Sequence, residues 1–345
     1  MKKVCVVGHF GFGENLLNGQ TIKTKIVTTE LEKQLGADQV VKIDTHGGAK
    51  ALPKTTIELI KAFKNCENII IFPAHNGVKV FVPLCNAINK MFHRKLHYVV
   101  IGGWLPSLLL KNKGLTGQLR KFDGIYVETQ TLKKALDSRE FNNINILPNF
   151  KDIKIVKESQ LYKNSNVPYR LCTFSRVMKE KGIEDAVRVI TSINQKYKKN
   201  IYELDIYGQI DAEQIDWFES LQKEFPSYIH YKGLVEANES VNVLRAYFAL
   251  LFPTRFFTEG IPGTIIDGYA SGTPVISSRW ESFSDIIDEG ETGLGYEFDN
   301  LNEFQTVLES VYRSPELIMN MRCKCLSKAE KYTSREALSS LLSNI

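Results

Sequence analysis

The sequence predicts an α/β protein made of two doubly wound, Rossmann-like parallel-sheet domains. Its 345 residues suffice for two compact domains, each with its own core. Short apolar runs alternate with longer helical patterns, as strands buried on both faces of a parallel sheet require. The alternation breaks once, at a polar Lys-rich stretch, and then starts afresh.

In the first series, residues 4–7, 39–43, 68–72, 97–101, 124–127 and 144–147 read as strands. Residues 21–35, 55–64, 78–92 and 131–136 carry helical periodicity between them. After Pro148-Asn149 the polar segment through Pro168 reads as a linker. The second series of strands is 169–174, 201–207, 229–231, 248–253 and 274–277, again with helices between. We therefore expect an N-terminal domain over residues 1–165 and a C-terminal domain over 166–330. The last helix, about 335–342, is amphipathic. Ligands of open α/β sheets bind beyond the carboxyl ends of the strands.

An apolar content of 43% and a charged content of 24% describe an ordinary globular protein. The net charge of +5 favours anionic partners such as nucleotide phosphates. Its lysines are dispersed, without the interleaved aromatic residues of a nucleic-acid platform, so no nucleic-acid partner is expected. Six cysteines show no Cys-x-x-Cys spacing, which reads as a reduced, cytoplasmic chain. Met1-Lys2-Lys3 leads straight into a strand rather than a signal peptide. No apolar stretch is long enough to span a bilayer, so any membrane contact is expected to be peripheral, on the inner face. Segment 104–121 mixes leucines with cations, and reads either as a core helix or as a surface for anionic lipid.

The segment Glu259-Gly-Ile-Pro-Gly-Thr-Ile-Ile-Asp267 is the most informative in the chain. Gly260, Pro262 and Gly263 set a tight turn that opens a helix, and proline is tolerated in a helix's first turn. The N–H groups of Gly263, Thr264 and their successors then face outward with the positive end of the helix dipole behind them. That suits phosphate oxygens. Glu259 lies before the helix and Asp267 just over a turn into it, so both can reach one ligand. A second motif, Phe174-Ser175-Arg176-Val177-Met178-Lys179-Glu180-Lys181-Gly182, places two cations after a strand. Cations there stabilise charge that builds as a nucleoside diphosphate leaves a sugar.

Together with Gly272-Thr273-Pro274-Val275, these motifs strongly resemble the signature of the retaining GT-B-fold glycosyltransferases of the large bacterial family that includes capsule and lipopolysaccharide enzymes (glycosyl transferases group 1). The family pattern is Glu, seven residues, Glu; here the second acid is Asp267. Arg176 and Lys181-Gly182 match the family's strand-end Arg and Lys-Gly. Gly19, at the start of the first helix, matches the glycine that approaches the donor's phosphates, with Gln20, Thr21 and Lys23 as helpers. Pro148-Asn149 resembles the domain junction, and Tyr231-Lys232-Gly233-Leu234-Val235 the loop whose backbone contacts the base. Gly11-x-Gly13 with Asp44 imitates a dinucleotide fingerprint, but its third glycine place is Leu16.

The resemblance implies two domains facing a cleft, with the C-terminal helix, about 331–345, returning to the first. It implies a metal-independent hexosyl transfer from a nucleotide-diphosphate sugar, UDP-linked above others, to a saccharide or lipid-linked saccharide in cell-surface polysaccharide synthesis. Glu259 then orients the donor sugar, Arg176 and Lys181 stabilise the departing diphosphate, and Asp267 holds the ribose. No Asp-x-Asp triplet for Mg²⁺ or Mn²⁺ is present, and no cofactor is expected. The family's histidine after the fourth strand is missing: the sequence there reads Ile101-Gly102-Gly103-Trp104. His75, Trp104 or the loop around His9 is left to supply that contact, and His75 is a candidate for acceptor contact or proton transfer. Two further readings remain open: a donor-binding, non-catalytic subunit of a two-protein transferase, and a sugar-nucleotide epimerase of the same architecture.

Overall fold

The computed structural model describes residues 1–14, 19–164 and 166–345. The chain divides into two compact units, Met1–Asn149 with Ser334–Ile345, and Phe150–Thr333. The first holds β1 (Lys2–Gly8), β2 (Val40–Asp44), β3 (Cys66–Ile71), β4 (Lys95–Val99), β5 (Gly124–Val127) and β6 (Ile144–Ile146), in the order β2-β1-β3-β4-β5-β6. The second holds β7 (Tyr169–Phe174), β8 (Tyr202–Tyr207), β9 (Ile229–Gly233), β10 (Ala249–Phe252), β11 (Val275–Ser278) and β12 (Gly293–Tyr296), in the order β12-β11-β10-β7-β8-β9. Every ladder is parallel.

Both faces of each sheet are covered, so the strands are apolar throughout rather than alternating. In the second unit Leu171, Leu204 and Leu251 enter one core cluster, while Cys172, Leu250 and Phe252 enter another. Each sheet also has one place where the chain changes direction across it: between β1 and β3, and between β7 and β10. Loops leaving such a strand pair part to opposite faces and open a crevice at the carboxyl ends.

Several expected boundaries shift. The strand expected at 97–101 is Lys95–Val99, because Asn89 closes the preceding helix: its Oδ1 accepts from the Arg94 N–H at 2.6 Å. β12 has no counterpart among the expected strands. Its sequence, Gly-Leu-Gly-Tyr, lacks a β-branched run, and a Cβ on Gly293 would lie 2.3 Å from the Val275 carbonyl oxygen of β11. The segment expected as a linker belongs to the second unit, moving the boundary from 165 to 149. It is held there by Val156 N–H to Ala270 C=O (2.9 Å) and Lys151 N–H to Tyr332 C=O (3.3 Å), with Ile153 and Ile155 packed on the core. The C-terminal helix Ser334–Leu342 groups with the first unit, where Lys95 Nζ donates to the Asn344 carbonyl at 3.0 Å.

Segment 104–121 forms two short helices, Leu105–Leu110 and Lys113–Leu119. Leu105, Leu108, Leu109, Leu115 and Leu119 are spent on the core and Leu110 alone of these leucines is exposed, which favours the core-helix reading. No described helix is long and apolar enough to cross a membrane. All six cysteines are free thiols, and only Cys323 is exposed.

Arg322, 2% exposed in helix Arg322–Ala329, ties the second unit together from inside. Its guanidinium donates to the carbonyls of Gly272 (3.0 Å), Tyr247 (2.9 Å) and Phe248 (2.7 Å). Burial pulls its pKa down to about 10. Arg322→Met should leave three carbonyls without that donor and cost about 3 kcal/mol or more. Denaturant unfolding would register this as a lower midpoint; an unmoved midpoint would deny the clamp any stabilising role.

Candidate active site

β7 and β10 pair directly, so the loops leaving their carboxyl ends run side by side at the second unit's crevice. The contact between them is made first by backbone. Gly182 adopts φ +66°, and a Cβ there would lie 1.9 Å from the Pro253 carbonyl oxygen. Only glycine permits that approach in that conformation. The Arg255 N–H donates to the Glu180 carbonyl at 2.8 Å. The Arg255 guanidinium grips Asp185, in the first turn of helix Ile183–Tyr197, with Nε to Oδ2 at 2.7 Å. That contact raises the Arg255 pKa and fixes the second loop to the first.

On this frame Lys181 Nζ lies 2.7 Å from Glu259 Oε2. The Thr254 hydroxyl donates to the same oxygen at 3.2 Å. The ammonium also stands 5.0 Å from the centre of the Phe256 ring and 5.5 Å from that of Phe252, within cation–π range. Lys181 and Glu259, 78 residues apart in sequence, are therefore brought together. Arg176 turns to Asp211 instead, at 3.4 Å and half exposed. Such a surface pair contributes little and leaves the guanidinium free to swing.

Helix Gly263–Ala270 begins directly after Pro262, which is extended at φ −69° and ψ 127°. No side chain caps it, and the N–H groups of Gly263 and Thr264 have no intrahelical acceptor, while the Ile265 N–H already donates to the Pro262 carbonyl at 3.0 Å. The Thr264 hydroxyl in this first turn is buried without a hydrogen-bond partner. Lys151 lies across the helix start, its Cδ 3.7 Å from where a Gly263 Cβ would be. Its Nζ reaches both oxygens of Asp267, at 2.7 and 2.6 Å. Asp267 is 3% exposed, and burial pushes its carboxyl above the usual value although Lys151 and the Ser240 hydroxyl pull it down. Leu234 follows β9 and is 61% exposed; Gly260 lies in the turn ahead of the helix.

Gly19 and His75 belong to the first unit. Gly19 opens helix Gly19–Leu35 with open space where a Cβ would stand. His75 follows β3, exposed, with its ring edge-on to Trp104 at 5.3 Å. Lys23 is a buried partner of Glu128 at 2.6 Å, and His9 Nδ1 meets the Thr21 hydroxyl at 2.7 Å. In the glycine loop, residues 15–18 lie outside the described residues, Leu16 among them. Asp44, which completes the false dinucleotide fingerprint, accepts from the N–H groups of Phe10 (2.9 Å), Phe12 (3.0 Å) and His46 (2.9 Å). Burial raises its carboxyl, but these donors outweigh burial and hold it below the usual range.

Sequence reasoning missed Lys151, Arg255, Asp185 and Asp44 as builders of these sites. Lys151 sits in a stretch that reads as a linker, Arg255 and Asp185 act through a tertiary contact that no local spacing signals, and Asp44 adds to its local His46 N–H the amides of Phe10 and Phe12 from another loop.

Residues 168–314 match the sequence model of the family described as glycosyl transferases group 1. The second unit carries a glycosyl transferases group 1 domain. A protein of Klebsiella pneumoniae, described as an uncharacterized 41.2 kDa protein in the cps region, is 27% identical over 163 residues. That alignment spans 46% of this chain and 40% of the relative, so the chain matches less than half of the relative's length. Among solved structures, HepE of Anabaena in complex with UDP superposes with a TM-score of 0.75 at 12% identity, over 100% of both chains. Sucrose-phosphate synthase of Thermosynechococcus elongatus gives 0.73 at 13%, over 99% of this chain and 98% of its own. TarM of S. aureus gives 0.66 at 17%, over 84% and 57%. The fold is GT-B, with two parallel α/β sheets of six strands each.

Lys151→Ala should push the Asp267 carboxyl higher still. At acid pH, where that carboxyl is protonated folded and unfolded alike, the substitution should cost little. Its cost should grow as pH rises through the folded-state pKa, because the folded state then resists ionisation that the unfolded chain accepts. Unfolding midpoints measured across pH test this; a loss independent of pH would place the effect elsewhere.

Proposed function

We propose that this glycosyltransferase-fold protein is a retaining, metal-independent transferase that moves a hexosyl group from a UDP-sugar to a saccharide or lipid-linked saccharide acceptor. The observation that carries the reading is the Lys181–Glu259 pair, 2.7 Å apart beside the start of helix Gly263–Ala270. It gathers a fixed cation, a carboxylate and free helix-start amides at one crevice. A nucleotide sugar needs all three: positive charge for its diphosphate, an acceptor for sugar hydroxyls, and N–H donors for phosphate oxygens.

In this reading Lys181 and the swinging Arg176 neutralise charge developing on the β-phosphate as the glycosyl bond breaks. Glu259 accepts hydroxyls of the donor sugar and orients its anomeric carbon. The turn Gly260, Pro262, Gly263 and Thr264 presents the amides, and the backbone near Leu234 meets the base. Asp267 holds the ribose once Lys151 draws back or joins the contact. The acceptor attacks on the face that the diphosphate leaves, with a phosphate oxygen taking its proton, so no protein nucleophile is called for. Gly19 is assigned to the donor's phosphates and His75 to the acceptor. Relatives lend context: HepE was solved with UDP and with UDP-glucose, and TarM with UDP and an α-GlcNAc-glycerol. The Klebsiella pneumoniae relative's cps-region description accords with a role in surface polysaccharide.

Purified protein given a panel of nucleotide sugars and saccharide acceptors should release UDP and yield product with the anomeric configuration of the donor. Lys181→Ala should lower turnover by about 10²–10³, the loss of one charge-stabilising donor; near-normal turnover would remove Lys181 from the chemistry. Activity should survive excess chelator, and restoration only by Mn²⁺ or Mg²⁺ would overturn metal independence.

A further inference from the structure

The first unit has a crevice of its own. At the change of direction between β1 and β3, the loops that follow β1, β2 and β3 and the starts of the helices after them line an open cleft of about 510 Å³. His9, Gln20, His75 and Asn76 give it polar atoms, while Val80 and Phe81 give it an apolar wall. Among the described residues, no aspartate, glutamate, lysine or arginine lines it, in a chain where 24% of residues are of those types. This is not a property of the unit at large. A second cavity of nearly the same size, about 520 Å³ beside edge strand β2, is lined by Lys2, Lys42, Lys54, Lys61, Asp44 and Glu58, among others.

Three charged residues on the elements around this cavity are engaged with other partners. Asp44 holds three amide N–H groups, Glu14 meets His46 at 3.2 Å, and Lys23 is buried against Glu128. His9 is also committed: Nδ1 meets Thr21 and Nε2 meets His46 Nδ1 at 3.0 Å. His75 is not. Its Nδ1 makes a long contact of 3.4 Å with Asn76, which leaves Nε2 for a ligand, and Trp104 braces the ring. Gln20 spends one N–H on the Phe72 carbonyl at 3.1 Å and keeps its own carbonyl oxygen.

Imidazole, amides and an apolar wall suit a molecule with hydroxyls on one side and C–H groups on the other. A carboxylate or phosphate would lose water there and gain no lysine or arginine. We infer that this cavity binds the terminal sugar of the acceptor, and that this sugar is neutral, bearing neither carboxylate nor phosphate. The word acceptor rests on the transferase reading proposed above; the choice of a neutral sugar rests on the cavity alone.

Saturation-transfer NMR on the whole protein separates the two. With UDP in excess to fill the second unit's crevice, the probes are methyl α-glucoside, methyl α-galactoside and methyl N-acetylglucosaminide, set against glucuronic acid and glucose 1-phosphate. At least one neutral glycoside should bind, with the anions tenfold weaker or worse. His75→Ala, at an exposed position, should weaken the neutral ligand about fivefold, the worth of one hydrogen bond. Binding by no neutral glycoside, equal binding by the anions, or an unaltered affinity in His75→Ala would each overturn the inference. A neutral glycoside that binds as expected while every transfer assay fails would count against the transferase reading and leave the neutral-sugar site standing.

Discussion

The second unit is organised by the lateral pairing of β7 with β10, two strands that the sequence separates by more than seventy residues. Hydrogen-bonding those strands sets two loops against each other, and Gly182 lets their backbones touch. From that contact follow the grip of Arg255 on Asp185 and the meeting of Lys181 with Glu259. Helix Gly263–Ala270 then starts at a position dictated by the end of the second loop. Cation, carboxylate and amides converge because the sheet topology converges, not because any one segment encodes a site.

The two crevices differ in electrostatic character. In the second unit, charge is concentrated where the chain changes direction: Lys181, Glu259, Lys151 and Asp267 stand close to one helix start. In the first, Lys23 is drawn aside into a buried pair with Glu128, and no described aspartate, glutamate, lysine or arginine lines the cavity. A polyanionic donor and an uncharged acceptor would each find a matching surface in this division, and each would be disfavoured at the other's.

Much of this was legible in the sequence. Strands buried on both faces advertise themselves as apolar runs, and eleven of the twelve were anticipated within two or three residues of their observed ends. Lys181 and Glu259 stood out because turn residues surround them. What stayed hidden depends on contact at a distance. β12 carries glycines because the Val275 carbonyl crowds position 293 and the side chains of Phe283 and Arg279 crowd position 295, so packing erased the usual strand signal. Lys151 stands one residue into the second unit at the start of a polar stretch, and nothing local betrays that it reaches Asp267. Asp44 looked like part of a cofactor fingerprint and serves as a clasp for three loop amides.

The glycine at position 182 has a consequence for how this molecule can vary. Apart from the Arg255 N–H on the Glu180 carbonyl, the neighbouring contacts between the two loops run through side chains, and side chains can be exchanged for others that reach as far. Position 182 meets the Pro253 carbonyl, and the carbonyls on either side of it, those of Phe252 and Thr254, are held by the hydroxyls of Ser277 and Ser278. Any methyl group introduced there would prise the lysine and the glutamate apart without altering either, so the hardest residue to replace near this crevice is one that carries no functional group.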